Sequence, residues 1–195
     1  MRRRDLLGLL GGTAALRTHV ARTQEKRPVI GYINAASPPD SADLVTAFKQ
    51  GLGKTRFVEG ANVAIEYRCA EDHYERLPAL AAEMVTRQVT VIAATSTPVA
   101  LAVKSASETI PIGFAVGGDP VNLGLVASLG RPGRNITGVT RYNVELGPKR
   151  LQLLREFVPG ARRIGLLVNL GNPNTEGLLR TMQAAAGTLL ASSEA

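Results

Sequence analysis

The chain has 195 residues, enough for one large α/β domain or for one domain and part of another, and either size can bury a true core. Its formal charge of +7, from 23 Lys+Arg against 16 Asp+Glu, is uneven: residues 1–27 hold seven basic and two acidic residues, which leaves 16 against 14 and only +2 on the body. No run of like charge marks the body as a nucleic-acid surface, and the single cysteine, Cys69, excludes an intrachain disulfide and any cysteine-based metal centre.

Arg2-Arg3-Arg4 precedes a mild apolar segment, Leu6 to Leu16, which is the layout of an export signal. Arg3-Arg4-x-Leu-Leu resembles the twin-arginine type, and the apolar run is too short to span a bilayer. Residues 1–27 are therefore expected to be an export leader and the mature chain to be periplasmic. Ala21-Arg22-Thr23 is a poor cleavage box, since it ends in Thr where Ala is usual.

Pro28 to Asn34 reads as a first buried strand, followed by the loop Ala35 to Asp40 with Ser37. Ser41 can cap a helix from Ala42 to Gly53, whose Leu44, Val45, Phe48 and Leu52 share a face. Val63 to Arg68 alternates as a second strand, and Tyr74 to Gln88 carries the 3.6-residue stripe of a second helix, with Pro78 in its first turn. Cys69 reads as a small core residue, and Glu71, Asp72 and His73 as a loop after that strand rather than a metal set.

Val91 to Ala94 is apolar without alternation, as expected of a strand covered on both faces. It stops at Thr95-Ser96-Thr97-Pro98, with Thr97 as the expected N-cap and Pro98 in the first helical turn. A helix beginning at the carboxyl end of a buried strand offers free N–H groups and a partial positive charge, to which Thr95 and Ser96 add hydroxyls. Such a place suits a small carboxylate, and is equally compatible with a well-capped helix and no ligand.

Ile110 to Val116 is the fourth strand. It runs into Gly117-Gly118-Asp119-Pro120, where the glycines let backbone approach a ligand and a short helical segment is expected as far as Leu129. Asp119 can accept from a ligand amine or hydroxyl, can cap that segment, or can do both. After the turn Gly130 to Asn135, Ile136 to Thr140 is a fifth strand and Leu146 to Phe157 a helix. Arg163 to Asn169 reads as one more buried strand, leading through Asn172 into a helix from Thr175 to Thr188. The βαβαβαβ pattern dictates a doubly wound parallel sheet, with the start of a second α/β unit behind it. The expected division is an export leader at 1–27, a first lobe at 28–140, and a hinge with an incomplete second lobe at 141–195.

No Gly-x-Gly-x-x-Gly follows the first strand and no Walker-type loop occurs, so nucleotide binding loses its usual signature. An enzyme acting at the same strand ends is the alternative function. The loops there, however, hold no nucleophile, base and orienter: His19 lies in the leader, His73 stands apart and Cys69 has no evident partner. A regulator sharing the fold would need a DNA-binding helix pair where the leader lies.

Together the leader, Pro28-Val29-Ile30-Gly31-Tyr32-Ile33, Phe48-Lys49-Gln50-Gly51-Leu52-Gly53, Asn62 to Arg68, Ala94 to Pro98, Gly117 to Val121, Asn135 to Thr140 and Asn169 to Asn174 resemble the ABC-transporter substrate-binding family that includes tryptophan- and tyrosine-type import proteins. The resemblance covers roughly residues 1–188 and implies a type I periplasmic-binding-protein-like fold of two lobes with the ligand between them. It implies a non-enzymatic receptor for a small solute, an amino acid or related carboxylate, handed to an ABC permease in the inner membrane. Neither cofactor nor metal nor nucleic acid is implied, and the expected state is monomer or weak dimer. Carried over, it makes Ser37, Thr95, Ser96 and Asp119 of the first lobe, and Asn169 and Asn172 of the second, cleft-lining. The sequence departs from the family at Arg17, His19, Thr23, Arg56 and Cys69, and ends where family chains continue, so a truncated copy with one complete wall is expected.

Overall fold

The structure, a computed structural model, describes residues 27–161 and 163–191, and the expected export leader lies outside them except for Arg27. Five parallel strands form one sheet: β1 (Val29–Asn34), β2 (Ala64–Cys69), β3 (Val91–Ala94), β4 (Ile112–Val116) and β5 (Ile136–Thr140), in the order β2-β1-β3-β4-β5. The helices are α1 (Ala42–Lys54), α2 (Leu77–Thr86), α3 (Thr97–Ala106), α4 (Gly147–Phe157) and α5 (Thr175–Ala191), with a single 3-10 turn, Tyr74–Arg76, leading into α2. The expected doubly wound α/β lobe is therefore what forms. Its order reverses between β1 and β3, and in open sheets of this kind ligands bind in the crevice outside the strand carboxyl ends at that reversal.

Side chains alternate across each strand, so adjacent residues answer to different helices. Ile33, Ile92, Ile112, Phe114 and Ile136 point to one face and pack with Ala81, Met84 and Val99 of α2 and α3 in the main core. On the other face Tyr32 is buried against Phe48 of α1 and Tyr67 of β2, with ring centroids 5.1 and 5.5 Å away. α1 covers this face only near β1 and β2. Farther along, Ala93, Gly113 and Ala115 are half-buried, and Val139 is 65% exposed. Cover on both faces, expected for β3, thus holds for Ile92 and Ala94 but not for Val91 and Ala93.

Four expectations are corrected. Arg163 to Asn169 forms no strand: it has the composition of one, but no neighbouring strand bonds it, and Leu167 is 99% exposed. A strand is stabilised by its ladder partners, so apolar composition without a partner leaves an extended segment. The stretch after Pro120 is a series of turns rather than a helix, because Asp119 Oδ1 accepts from the backbone N–H of Val121 and, at longer range, of Asn122, and closes a tight local turn. The N-cap of α3 is Ser96, not Thr97, one residue earlier than the proline spacing suggests. Ser41 does precede α1, but its hydroxyl donates back to the Ser37 carbonyl at 2.8 Å instead of capping the helix.

At the sheet edge Arg68 of β2 meets Glu83 of α2 with two hydrogen bonds, 2.6 and 3.0 Å, and Arg87 joins the same carboxylate at 3.0 Å. The paired guanidiniums, Arg68 first, hold the Glu83 carboxyl down from an ordinary 4.5 to about 2. A carboxylate depressed by folding stabilises the native state fully above its unfolded value and loses that contribution as pH falls through the folded one. Glu83→Gln should therefore flatten the fall in Tm between about pH 4.5 and pH 2 and lower Tm above that window, as thermal unfolding across pH would show. Parallel curves for the two proteins would mean the cluster contributes nothing to acid stability.

Candidate functional site

β3 ends at Thr95, whose hydroxyl donates to the Ile33 carbonyl at 3.0 Å and ties the loop to β1. Ser96 is fully extended, with φ −153° and ψ 165°, and its carbonyl accepts the Ala100 N–H at 2.9 Å, so α3 starts at Thr97 with Pro98 in its first turn. The Ser96 Oγ is buried without a hydrogen-bond partner. Thr97 is 2% exposed, and its hydroxyl accepts from Asn174 Nδ2 at 3.0 Å, a contact between residues 77 positions apart.

Asn174 sits at the start of α5. Its N–H is held by Asn172 Oδ1 at 2.9 Å, and its carbonyl accepts the Leu178 N–H at 3.0 Å. Its own Oδ1 lies over Gly118, where a Cβ would come within 2.7 Å of it. The glycine pair after β4 thus admits Asn174, and so lets the start of α5 close onto the sheet edge. The connection from β5 follows the same edge: Arg141 N–H donates to the Val116 carbonyl at 3.0 Å and Asn143 N–H to the Gly117 carbonyl at 2.7 Å. Gly147, the first residue of α4, is buried against Leu178 and Met182 of α5.

These contacts border an open hollow of about 260 Å³. Ser96, Thr97 and Pro98 form one wall, Asn172, Asn174 and Leu178 the wall opposite, and Arg141, Val144 and Arg150 the side contributed by the β5–α4 segment. Its size is just below the roughly 300–1,000 Å³ typical of small-molecule sites, and its lining has their usual mixture of apolar surface and a few converging polar groups.

Of the expected cleft residues, Ser96 and Asn172 line this hollow. Thr95 does not, its hydroxyl being spent on β1. Ser37 hydrogen-bonds Asp40, and Asn169 Oδ1 accepts the Gly171 N–H at 2.9 Å, each within its own loop. Asp119 caps its own turn, with Oδ1 on Val121 N–H at 2.8 Å and Oδ2 on Asn122 Nδ2 at 2.9 Å. Asn174, Arg141 and Arg150 were not singled out by sequence reasoning. Asn174 carries the same strand-loop-helix signal as Asn172 and was within reach of it.

Among the described residues no group of three or more His, Cys, Asp or Glu is placed to hold a metal, and no helix is long and apolar enough to cross a membrane. Burial pushes the Cys69 thiol up, which makes it a poor nucleophile at neutral pH. A parallel sheet whose carboxyl edge opens onto a polar hollow, with helix starts aimed into it, is the architecture of a solute-binding lobe. Residues 30–189 match the family described as ABC transporter substrate binding protein, and the chain belongs to that family.

Among curated relatives, a tyrosine-binding protein of Clostridioides difficile (strain R20291) is 28% identical over 166 residues, which are 85% of this chain and 47% of that protein. Among solved structures, a conserved domain protein from Vibrio cholerae O1 biovar eltor superposes with a TM-score of 0.76 at 28% identity, covering 84% of this chain and 54% of its own. A ligand-free, open substrate-binding protein with adhesive properties from Clostridium difficile gives 0.59 at 29%, covering 83% and 54%. A Streptococcus pneumonia ABC domain in complex with L-Trp shares the fold, with 0.73 at 24% identity over 84% of this chain and 54% of that one. The chain spans about half the length of these relatives.

Proposed function

We propose that this chain binds a small solute, an amino acid or related carboxylate, outside the cytoplasm, as the receptor of an ABC import system, and passes it to an inner-membrane permease. On this reading it performs no catalysis and needs no cofactor, and residues 1–27 direct its export by the twin-arginine route. Family membership supports the receptor role, and the tyrosine and L-Trp for which two of the similar proteins are named support a carboxylate-bearing solute.

The observation that carries the reading is the Ser96 hydroxyl. It is buried, unpartnered and at the N-terminal end of a ten-residue helix that borders the hollow. A buried hydroxyl with no partner costs roughly 1–3 kcal/mol, and a ligand carboxylate there would recover that cost while taking free N–H groups of α3. Asn172 and Asn174 face it from the loop that enters α5, so a solute would be held between the lobe and the segment beyond it.

The test is thermal unfolding of the purified chain against a panel of amino acids and organic acids. A solute at about 100 times its Kd stabilises the native state by about 2.7 kcal/mol, a clear rise in Tm. Ser96→Ala should weaken the responding solute by about 2- to 10-fold. Binding that ignores Ser96→Ala would move the site elsewhere, and silence across the panel would remove the receptor reading.

A further inference from the structure

We propose that the hollow is built for a compact aliphatic dicarboxylate that carries no ammonium group. This rests on the receptor reading above and narrows its ligand. Two guanidiniums, Arg141 just past β5 and Arg150 in the first turn of α4, line the hollow, and among the described residues neither side chain meets a carboxylate or any other hydrogen-bond partner. No acidic side chain lines it. Both guanidiniums are solvent-exposed and so free to take a ligand, and the planar fork of each matches a carboxylate in two parallel hydrogen bonds.

The backbone adds the same sign. Ser96 and Thr97 open α3, Asn174 stands at the start of α5, and Val144 and Arg150 flank the start of α4, so the N-terminal ends of three helices border one cavity. Each end carries a partial positive charge and free N–H groups, and together with the two arginines they make the hollow strongly favourable for anions. A ligand ammonium would find like charge and no acceptor carboxylate. Asp119, the acid best placed along the chain to take one, has both oxygens engaged in its own turn and is not part of the lining.

Two arginines on different elements call for two acid groups, one on each. The apolar lining is Pro98, Val144 and Leu178, with no aromatic ring to stack a tyrosine or tryptophan side chain, so the body joining the two acids is short and aliphatic.

Calorimetric titration of the full chain at low ionic strength separates the possibilities, with succinate, butyrate, L-tyrosine, L-tryptophan and inorganic sulfate as probes. Succinate should bind at least about tenfold more tightly than butyrate, which has one acid group fewer. Arg141→Gln and Arg150→Gln should each weaken succinate by about tenfold or more. Raising the salt should weaken it in the wild type more than in the double variant. Both side chains are solvent-exposed, so unchanged circular dichroism and Tm are expected for the variants and confirm that they fold. If L-tyrosine or L-tryptophan binds more tightly than succinate and ignores both substitutions, the dicarboxylate assignment falls while the receptor reading stands. Sulfate binding as well as succinate overturns the assignment in favour of a general anion hole. If neither the acids nor the amino acids bind, both fall.

Discussion

Gly138→Ala should cost the chain about 3 kcal/mol of unfolding free energy, the upper end of what overpacking usually costs, while Gly113→Ala, one strand away, should change it by less than about 1 kcal/mol. Gly138 lies in β5, where it is the register partner of Phe114 in β4. A Cβ there would be driven into the Phe114 carbonyl and would come within 2.6 Å of its ring carbons Cγ and Cδ2. Flexible side chains yield to such a contact cheaply, but a strand carbonyl cannot move without loosening the ladder that holds β5 to the sheet. Among the described residues β5 has no strand on its far side, so relief comes by displacing β5 outward. Gly113 points to the open face, where an added methyl meets nothing within 4 Å. Urea unfolding of the two variants makes the comparison, and equal effects would mean that the close approach of β5 to Phe114 is absent in solution. The displacement also has a functional consequence. β5 leads directly to Arg141, whose N–H extends the ladder to Val116, so Gly138→Ala should weaken any solute held by that side of the hollow beyond what its stability loss explains.

Most of the sheet was legible because its signals are local. Ile136 to Thr140 is bounded by a turn-rich stretch before it and polar residues after it, and β5 begins and ends where that composition changes. The stripes of α1 and α2 repeat at helical spacing over ten or more residues, a pattern that depends on no distant partner, and the start of α3 is marked by its own proline. Arg163 to Asn169 is the counterexample: its apolar residues would suit a strand, but strand formation depends on a neighbour elsewhere in the chain, and nothing within the seven residues reports whether one exists.

The candidate site was legible where one loop makes it and illegible where the chain folds back. Ser96 was readable from the strand-turn-helix junction around it. Asn174 on Thr97, by contrast, joins segments 77 residues apart. Arg141 and Arg150 carry no local signal, because long cations on a helix or after a strand are usually solvated, and only the convergence of three helix starts shows them facing a common space. Asp119 shows the opposite ambiguity. A carboxylate that caps its own turn and one that receives a ligand amine occupy the same sequence context, and the structure shows the first role, in hydrogen bonds of 2.8 and 2.9 Å.

Gly31→Ala and Met84→Ala should each destabilise the lobe, yet the double variant should be more stable than the sum of the two losses predicts. Gly31 in β1 faces α2, and a Cβ on it would stand 2.6 Å from Met84 Sδ, 3.2 Å from its Cγ and 3.3 Å from Val89 Cγ2. Met84 is 0% exposed and fills the space between β1 and α2, so Met84→Ala leaves a cavity and should cost about 3 kcal/mol, within the range for removing a buried Met side chain. Gly31→Ala instead crowds the same space. The thioether is flexible and can swing, which holds that cost to about 1 kcal/mol. In the double variant the new methyl occupies part of the volume the sulfur has left, so one substitution relieves the other. A double-mutant cycle by urea unfolding should give a favourable coupling of about 1 kcal/mol, since the two sites are in direct contact. Strict additivity would mean that α2 stands farther from β1 than the packing of this core requires, and the position of every element that α2 supports, Arg68 with its Glu83 partner included, would then have to be redrawn.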